Sequence, residues 1–415
     1  MQNQTNSSRL NRTIAMVVVF VVIVTAVMII ALMNAPTMGG PRVMATLQTY
    51  LAEVQQTAIP FMIAVGIGAV ALAIVAVVTV RRVWSNRKRR ADLFTAYAFL
   101  APYLVVTLTF TIGVTLFALY ISFNNYDIFT RPTWVGLDNY SLAFKGFTDA
   151  TQRDFLQSLY NAFWYTLIVV PVQTFLAILM AVLLNVPMRM KQFFRTIFYA
   201  PSVTSSVVIT LIFIWFYLKS GYANFFLQNL LGVVGIKFIP VDWLGDPRGL
   251  FQLIVNAFGG NIPSTQWYLR GPSIAWMAIM FQNIFTTIPT FMIMFLAALQ
   301  DISPALYEAA SIDGASGIQL FRKITLPMLR PIILLVVVLG TIGSLQVFDQ
   351  VYLATQGGPL NTSLTPVFLI FREALGKSGP IHMGYASALA FILALIIFGF
   401  TFFQRRFLER GTELY

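Results

Sequence analysis

Asp301–Pro331, DISPALYEAASIDGASGIQLFRKITLPMLRP, is a polar stretch between two strongly apolar ones, Ile274–Leu299 and Leu329–Val347. It is too patterned for a simple turn. Ser303-Pro304 reads as a helix start, with a hydroxyl at the N-cap and a proline at the first helical position, where no N–H is missed. Ala305–Ile312 then reads as a short helix. Asp313-Gly314 breaks it with the residue best suited to a left-handed backbone. Ile318, Phe321 and Ile324/Thr325 recur at helical spacing with Arg322 and Lys323 on the other side, and Pro327 is expected to stop this second helix. Two short helices at an angle, held outside the bilayer, suit docking into a groove on another protein.

The flanking sequence places this loop at a membrane. The chain is 58% hydrophobic and 10% charged with a mean hydropathy of +0.77, which excludes a soluble enzyme. It has no cysteine and a single histidine, His382, so neither thiolate nor histidine metal clusters are available. Runs of about 20 apolar residues predict eight spans, near 14–33, 58–80, 96–122, 160–185, 198–218, 273–300, 329–349 and 385–404. With both termini cytoplasmic, 17 of the Lys and Arg residues fall on inner segments and 10 on outer ones, and acidic residues split 6 to 9. The net charge of +12 is therefore a topology signal and not a nucleic-acid footprint.

The first apolar run, Ile14–Met33, is longer than the ~7–15 residues of a signal-peptide core, so an uncleaved anchor is expected. The second, Ala58–Val80, ends at Arg81-Arg82 and Arg87-Lys88-Arg89-Arg90, a stop-transfer cluster for an anionic inner leaflet.

Within the eight spans ionisable side chains are nearly absent; Arg330 and Asp349 sit at span ends. An ion-coupled secondary transporter keeps charged groups at mid-membrane, so the energy is expected to arrive from outside this chain. The interior suits an uncharged, hydrogen-bonding solute. Asn283, Thr286, Thr287 and Thr290 lie on neighbouring turns of one span around Pro289, which removes a backbone hydrogen bond. Ser344, Gln346, Phe348 and Asp349 follow Gly340 and Gly343 in the next. Amides, hydroxyls and aromatic faces are what a pyranose ring offers partners for. The competing reading is helix packing, to which Asn161, Asn185 and Gln173 are assigned. No G-x-x-x-x-G-K-[ST] loop, HExxH or nucleophile–base set is present, so catalysis is not expected of this chain.

Glu308-Ala309-Ala310, then Gly314, then Ile324-Thr325-Leu326-Pro327 at matching spacing, resemble the EAA motif of permease subunits in binding-protein-dependent ABC importers, carbohydrate-uptake (maltose and glycerol-3-phosphate) type. Ala101-Pro102-Tyr103, Trp134–Tyr140, Phe193-Phe194-Arg195-Thr196, the Asp242–Pro247 element and Gly357-Gly358-Pro359 resemble the same family. The resemblance implies an all-α integral membrane protein of the cytoplasmic (inner) membrane of a bacterium or archaeon. It would comprise a six-helix type I importer core, residues 91–415, preceded by two extra helices in 1–90. It implies as partners a second permease, two ABC ATPase subunits that bind ATP and Mg, and an external sugar-binding protein. Glu308, Ala309, Ala310, Asp313, Gly314, Ile324, Leu326 and Pro327 would dock on the ATPase. Asn283 matches a sugar-contacting Asn of maltose-type subunits, while Thr287, Thr290, Ser344 and Val347 stand at aligned contact positions with different residues. The loop Asn124–Ser158 is too short for the large external domain those subunits carry. Glycerol-3-phosphate is the rival solute, but an anion should need a basic group in the cavity and none is evident.

Overall fold

The computed structural model describes residues 99–100, 102–103, 106–149, 152–186, 189–263, 266–376 and 379–408. The expected spans at 14–33 and 58–80, and the cluster Arg81–Arg90, lie outside these residues. Gly113–Tyr415 forms one compact unit. Ahead of it the chain is helical through a π turn at Thr107–Gly113.

The described helices are α1 (Val114–Ser122), α2 (Asp138–Phe144), α3 (Asp154–Asn185), α4 (Lys191–Val203), α5 (Ser206–Tyr217), α6 (Tyr222–Val233), α7 (Leu250–Ala257), α8 (Ile274–Gln300) and α9 (Pro304–Ile312). After them come α10 (Gly317–Leu320), a π turn (Phe321–Thr325), α11 (Leu326–Met328), α12 (Arg330–Leu345), α13 (Asp349–Ala354), α14 (Pro366–Leu375) and α15 (Met383–Leu408). A two-residue antiparallel ribbon, Asn124–Asn125 with Thr133–Trp134, is the strand structure among the described residues. Among the described residues four helical stretches are long and apolar enough to cross a membrane: α3, α8, Arg330–Ala354 and Met383–Arg406, or five if α4 with α5 counts as one.

That pair departs from the expected single span at 198–218. Thr204 and Ser205 are extended, and α4 meets α5 at 94°. Pro201, which has no N–H to donate, weakens the helix just before the corner. A hydropathy window sums apolar residues across such a corner without registering a change of direction.

The core shows which ends of the helices lie together. Phe155, Tyr165 and Val169 of α3 pack with Trp276, Ile279 and Met280 of α8, while Ala177–Leu184 packs with Phe291–Leu299. The two long helices therefore run parallel. Val336, near the start of α12, joins the second cluster; Val347, just past its end, joins the first, so α12 runs back. Leu389 and Ile392, early in α15, join the first cluster. One end of the bundle thus gathers Asn185–Lys191, the Asp301–Leu329 loop and the C-terminal end of α15, and basic residues (Arg189, Lys191, Arg195, Arg322, Lys323, Arg330, Arg405, Arg406) outnumber the acidic Asp301, Glu308 and Asp313 there. By the charge rule this is the end expected to face inward, and it is called the inner end below.

Short elements at the opposite end are clamped by their own side chains. Trp134 stacks on Phe123, and Asn139 donates to the carbonyls of Ser122 and Asn124. Asn224 accepts from Trp243 Nε1 and Val241 N and donates to the Val241 carbonyl, which folds the Asp242–Pro247 element against α6. Helix α7, eight residues and too short to span, is fastened by Leu250 and Phe251 N–H groups to the carbonyls of Pro272 and Arg270.

Candidate functional site

The docking loop forms as two short helices. Pro304 opens α9 at its first position, and Ser303 holds an extended N-cap backbone without its hydroxyl accepting a bond. The helix ends in a complete Schellman turn. Gly314 takes φ +76°, its N–H donates to Ser311 O, and Ala315 N–H donates to Ala310 O at 3.0 Å. A second start, unremarked in the sequence, follows at once: Ser316 and Gln319 form a capping box, with Ser316 N donating to Gln319 Oε1 at 2.7 Å.

Pro327 does not stop the second helix. The backbone widens into a π turn at Phe321–Thr325, where Leu326 N–H reaches Phe321 O, and Pro327 enters α11 in its first turn, where no N–H is needed. The break falls at Leu329, a buried residue of the core.

Neither α9 nor α10 buries a single residue. Leu306, Ile312 and Ile318 are exposed, Ile312 by 87%. Glu308, Ala309, Asp313 and Gly314 are exposed too, with Ala310, Ile324, Leu326 and Pro327 half-buried. Two contacts tie the loop down: the Tyr307 hydroxyl lies 3.0 Å from Thr325 Oγ1, and Ile302 is buried against the bundle. The loop thus raises an exposed apolar surface on a turn closed by its own backbone hydrogen bonds.

The polar path divides into two levels. Halfway along α8, the Thr287 hydroxyl is 2.7 Å from Gln173 Oε1 of α3 and 2.8 Å from the Asn283 carbonyl. Gln173 is buried, and a Cβ on Gly340 of α12 would sit 2.6 Å from its amide nitrogen, so three helices meet on this one side chain. Thr286 bonds back to the Asn283 carbonyl, Thr290 is exposed and Ser344 is buried. Pro289 lies inside α8 and is buried. Nearer the outer end, Gln346 and Asp349 are exposed, Phe348 stacks on Tyr352 with centroids 5.4 Å apart, and Val347 is core, its carbonyl accepting from Thr365 Oγ1. Sequence reading missed a second tie, Gln282 Nε2 to Thr210 Oγ1 at 2.7 Å, which joins α8 to α5. Nothing in a single sequence pairs an amide with a hydroxyl 72 residues away.

The outer end also holds a cleft of about 210 Å³ lined by Gln157, Tyr160, Arg248, Gln252, Trp267 and Arg270 among others. His382 is not in it; its Nδ1 lies 3.2 Å from Glu373 Oε2.

A helical bundle with membrane-crossing helices, a polar seam at mid-depth and an exposed helical loop at its inner end defines a membrane transport subunit that works through partners. The profile described as "Binding-protein-dependent transport system inner membrane component" matches residues 173–412, and the chain belongs to that family. The chain is 32% identical over 317 residues to the probable ABC transporter permease protein YesP of Bacillus subtilis, covering 75% of this chain and 89% of that one. It is 32% identical over 253 residues to the lactose transport system permease protein LacF of Rhizobium radiobacter, covering 60% and 74%. Among solved structures it resembles a chain of a bacterial ABC transporter involved in importing the acidic polysaccharide alginate, with a TM-score of 0.61 at 23% identity over 80% of this chain and 99% of that one.

Proposed function

We propose that this chain is one of two similar permease subunits that together form the path for a sugar, handed over by an external binding protein and driven by two ATPase subunits. The ATPases bind ATP and Mg; this chain supplies the path and the coupling surface, through Glu308, Ala309, Ala310, Asp313, Gly314, Ile324, Leu326 and Pro327. The observation that carries the reading is the Asp301–Leu329 loop: a capped, rigid helical turn with its apolar residues outward at the inner end of a bundle that has no charged group at mid-depth among the described residues. A sugar is supported by the lactose-transport relative and by the uncharged seam of Asn283, Thr286, Thr287, Thr290 and Ser344, with Gln346, Val347, Phe348 and Asp349 nearer the outer mouth. The path works by rigid-body movement of the two halves, which opens the seam to one side at a time.

The test is ATPase activity of the assembled transporter with binding protein and a panel of sugars, for wild type and Gly314→Pro. Proline cannot adopt φ +76°. The variant should assemble yet lose sugar-stimulated turnover by on the order of tenfold or more. Solute movement by the purified chain alone on an ion gradient would overturn the reading.

A further inference from the structure

Helix α4 carries a feature the docking loop and the polar seam leave unexplained. It stands at 94° to α5, so its 13 residues run in a different direction from the helix they lead into. It leads from α3, whose last turn is at the inner end, and it packs on α8. Phe193, Ile197 and Val203 are half to two-thirds exposed, with Phe194, Phe198 and Tyr199 close behind. From Val186 to Thr204 the ionisable side chains besides Tyr199 are all basic: Arg189, Lys191 and Arg195.

Arg195 is the decisive residue. It lies one turn beyond Lys191, on the half-buried side of the helix, and its Nε and Nη2 are shielded from solvent with no hydrogen-bond partner among the described residues. A guanidinium never loses its charge, and unmet donors of this kind cost free energy unless an anion supplies oxygens. Lys191 is already anchored, its Nζ donating to the Asn185 carbonyl at 2.9 Å, and Arg189 is exposed beside it.

We infer that α4 is a lipid-binding helix, and that Arg195, flanked by Lys191 and Arg189, holds the phosphodiester of an anionic phospholipid from the inner leaflet. The acyl chains then cover Phe193, Phe194 and Ile197. An acidic segment of a soluble subunit would satisfy the arginine but would leave those aromatic side chains against water, whereas a phospholipid matches both parts of the surface at once. A planar two-donor edge also suits phosphate oxygens better than a point charge would.

Native mass spectrometry on the full-length chain, extracted in mild detergent with its co-purifying subunits, tests this with phosphatidylglycerol, phosphatidylcholine and inorganic phosphate as probes. One basic group at an anionic surface is worth roughly fivefold in affinity. Wild type should retain phosphatidylglycerol over phosphatidylcholine by at least that factor, and millimolar inorganic phosphate should not displace it. Arg195→Gln should lose most of the preference and Arg195→Lys part of it. Arg189→Gln, at an exposed position where folding is not at stake, should lose a smaller part. Equal retention of the two lipids by wild type, an undiminished preference in both Gln variants, displacement by free phosphate, or a photo-crosslinker at position 195 capturing a subunit and no lipid would each overturn the inference.

Discussion

The two ends of the bundle differ in how much of their polar surface is paired within the chain, although both expose apolar side chains. At the outer end the chain supplies many of its own partners, although Trp164 Nε1, Tyr165 Oη, Arg270 Nε and Arg372 Nε are shielded without a hydrogen-bond partner among the described residues. Arg372 pairs with Asp154 across more than two hundred residues, and Glu373 takes His382. Arg248 grips Asp246 through both carboxylate oxygens. The buried Asn161 donates to the carbonyls of Asn361 and Leu364. At the inner end Ile312 and Ile318 point outward, α9 and α10 bury nothing, and Arg195 has donors left over. The buried Asn161 is held by partners within the chain, whereas Ile312 touches water, and the two positions can be tested against each other. The contrast separates substitutions that act on stability from those that act on coupling.

Asn161→Leu should show the largest effect, since it strands two buried carbonyls at the outer end. A loss of about 2 kcal/mol is expected, read as a lower unfolding temperature of the detergent-solubilised protein, with surviving molecules still coupled to ATP hydrolysis. An unchanged midpoint would mean that these bonds do not hold the outer end together. Ile312→Ser probes the other end. At an exposed position the stability change should stay within about 0.5 kcal/mol, while stimulated ATPase activity falls on the order of tenfold, equivalent to about 1.4 kcal/mol. Equal losses in both readouts would erase the distinction between the ends.

The smallest effect belongs to Asp246→Asn. The Arg248 hydrogen bonds hold the Asp246 carboxyl below its ordinary range. A depressed folded-state pKa gives stability that is present above the unfolded value and is lost as pH falls through the folded one. Because Arg248 is exposed, the pair should contribute less than about 1 kcal/mol. The wild type should lose that increment on acidification below the ordinary aspartate range, and the variant should not. A variant with the same acid sensitivity in this range would show that other carboxylates dominate.

The Asp301–Pro331 loop was legible in the sequence because its determinants are local. Pro304, Asp313-Gly314 and the apolar spacing act within a few residues, and the backbone obeyed them up to Thr325. Pro327 was misread because a proline is compatible with a first turn as well as with an end, and only the π turn before it decides which. The corner at Thr204-Ser205 was hidden because apolar residues continue on both sides. The candidate path was legible only as a set of residue types. Thr287 and Gly340 do converge, yet through Gln173, whose packing assignment fits its place between three helices. Which polar groups meet across helices is settled by tertiary approach, and periodicity carries no trace of it.

The tie at Thr287 has a mechanical consequence. Helix α8 runs 13 residues from Ile274 to Thr287 and 13 more to Gln300, so each arm is roughly 20 Å long. Gln173 therefore holds it at its midpoint, and both arms pack on α3 as well, Trp276 and Met280 towards one tip and Phe291 and Leu299 towards the other. A rod gripped at its centre and along both arms keeps its register with its neighbour, so α3 and α8 form one stiff pair.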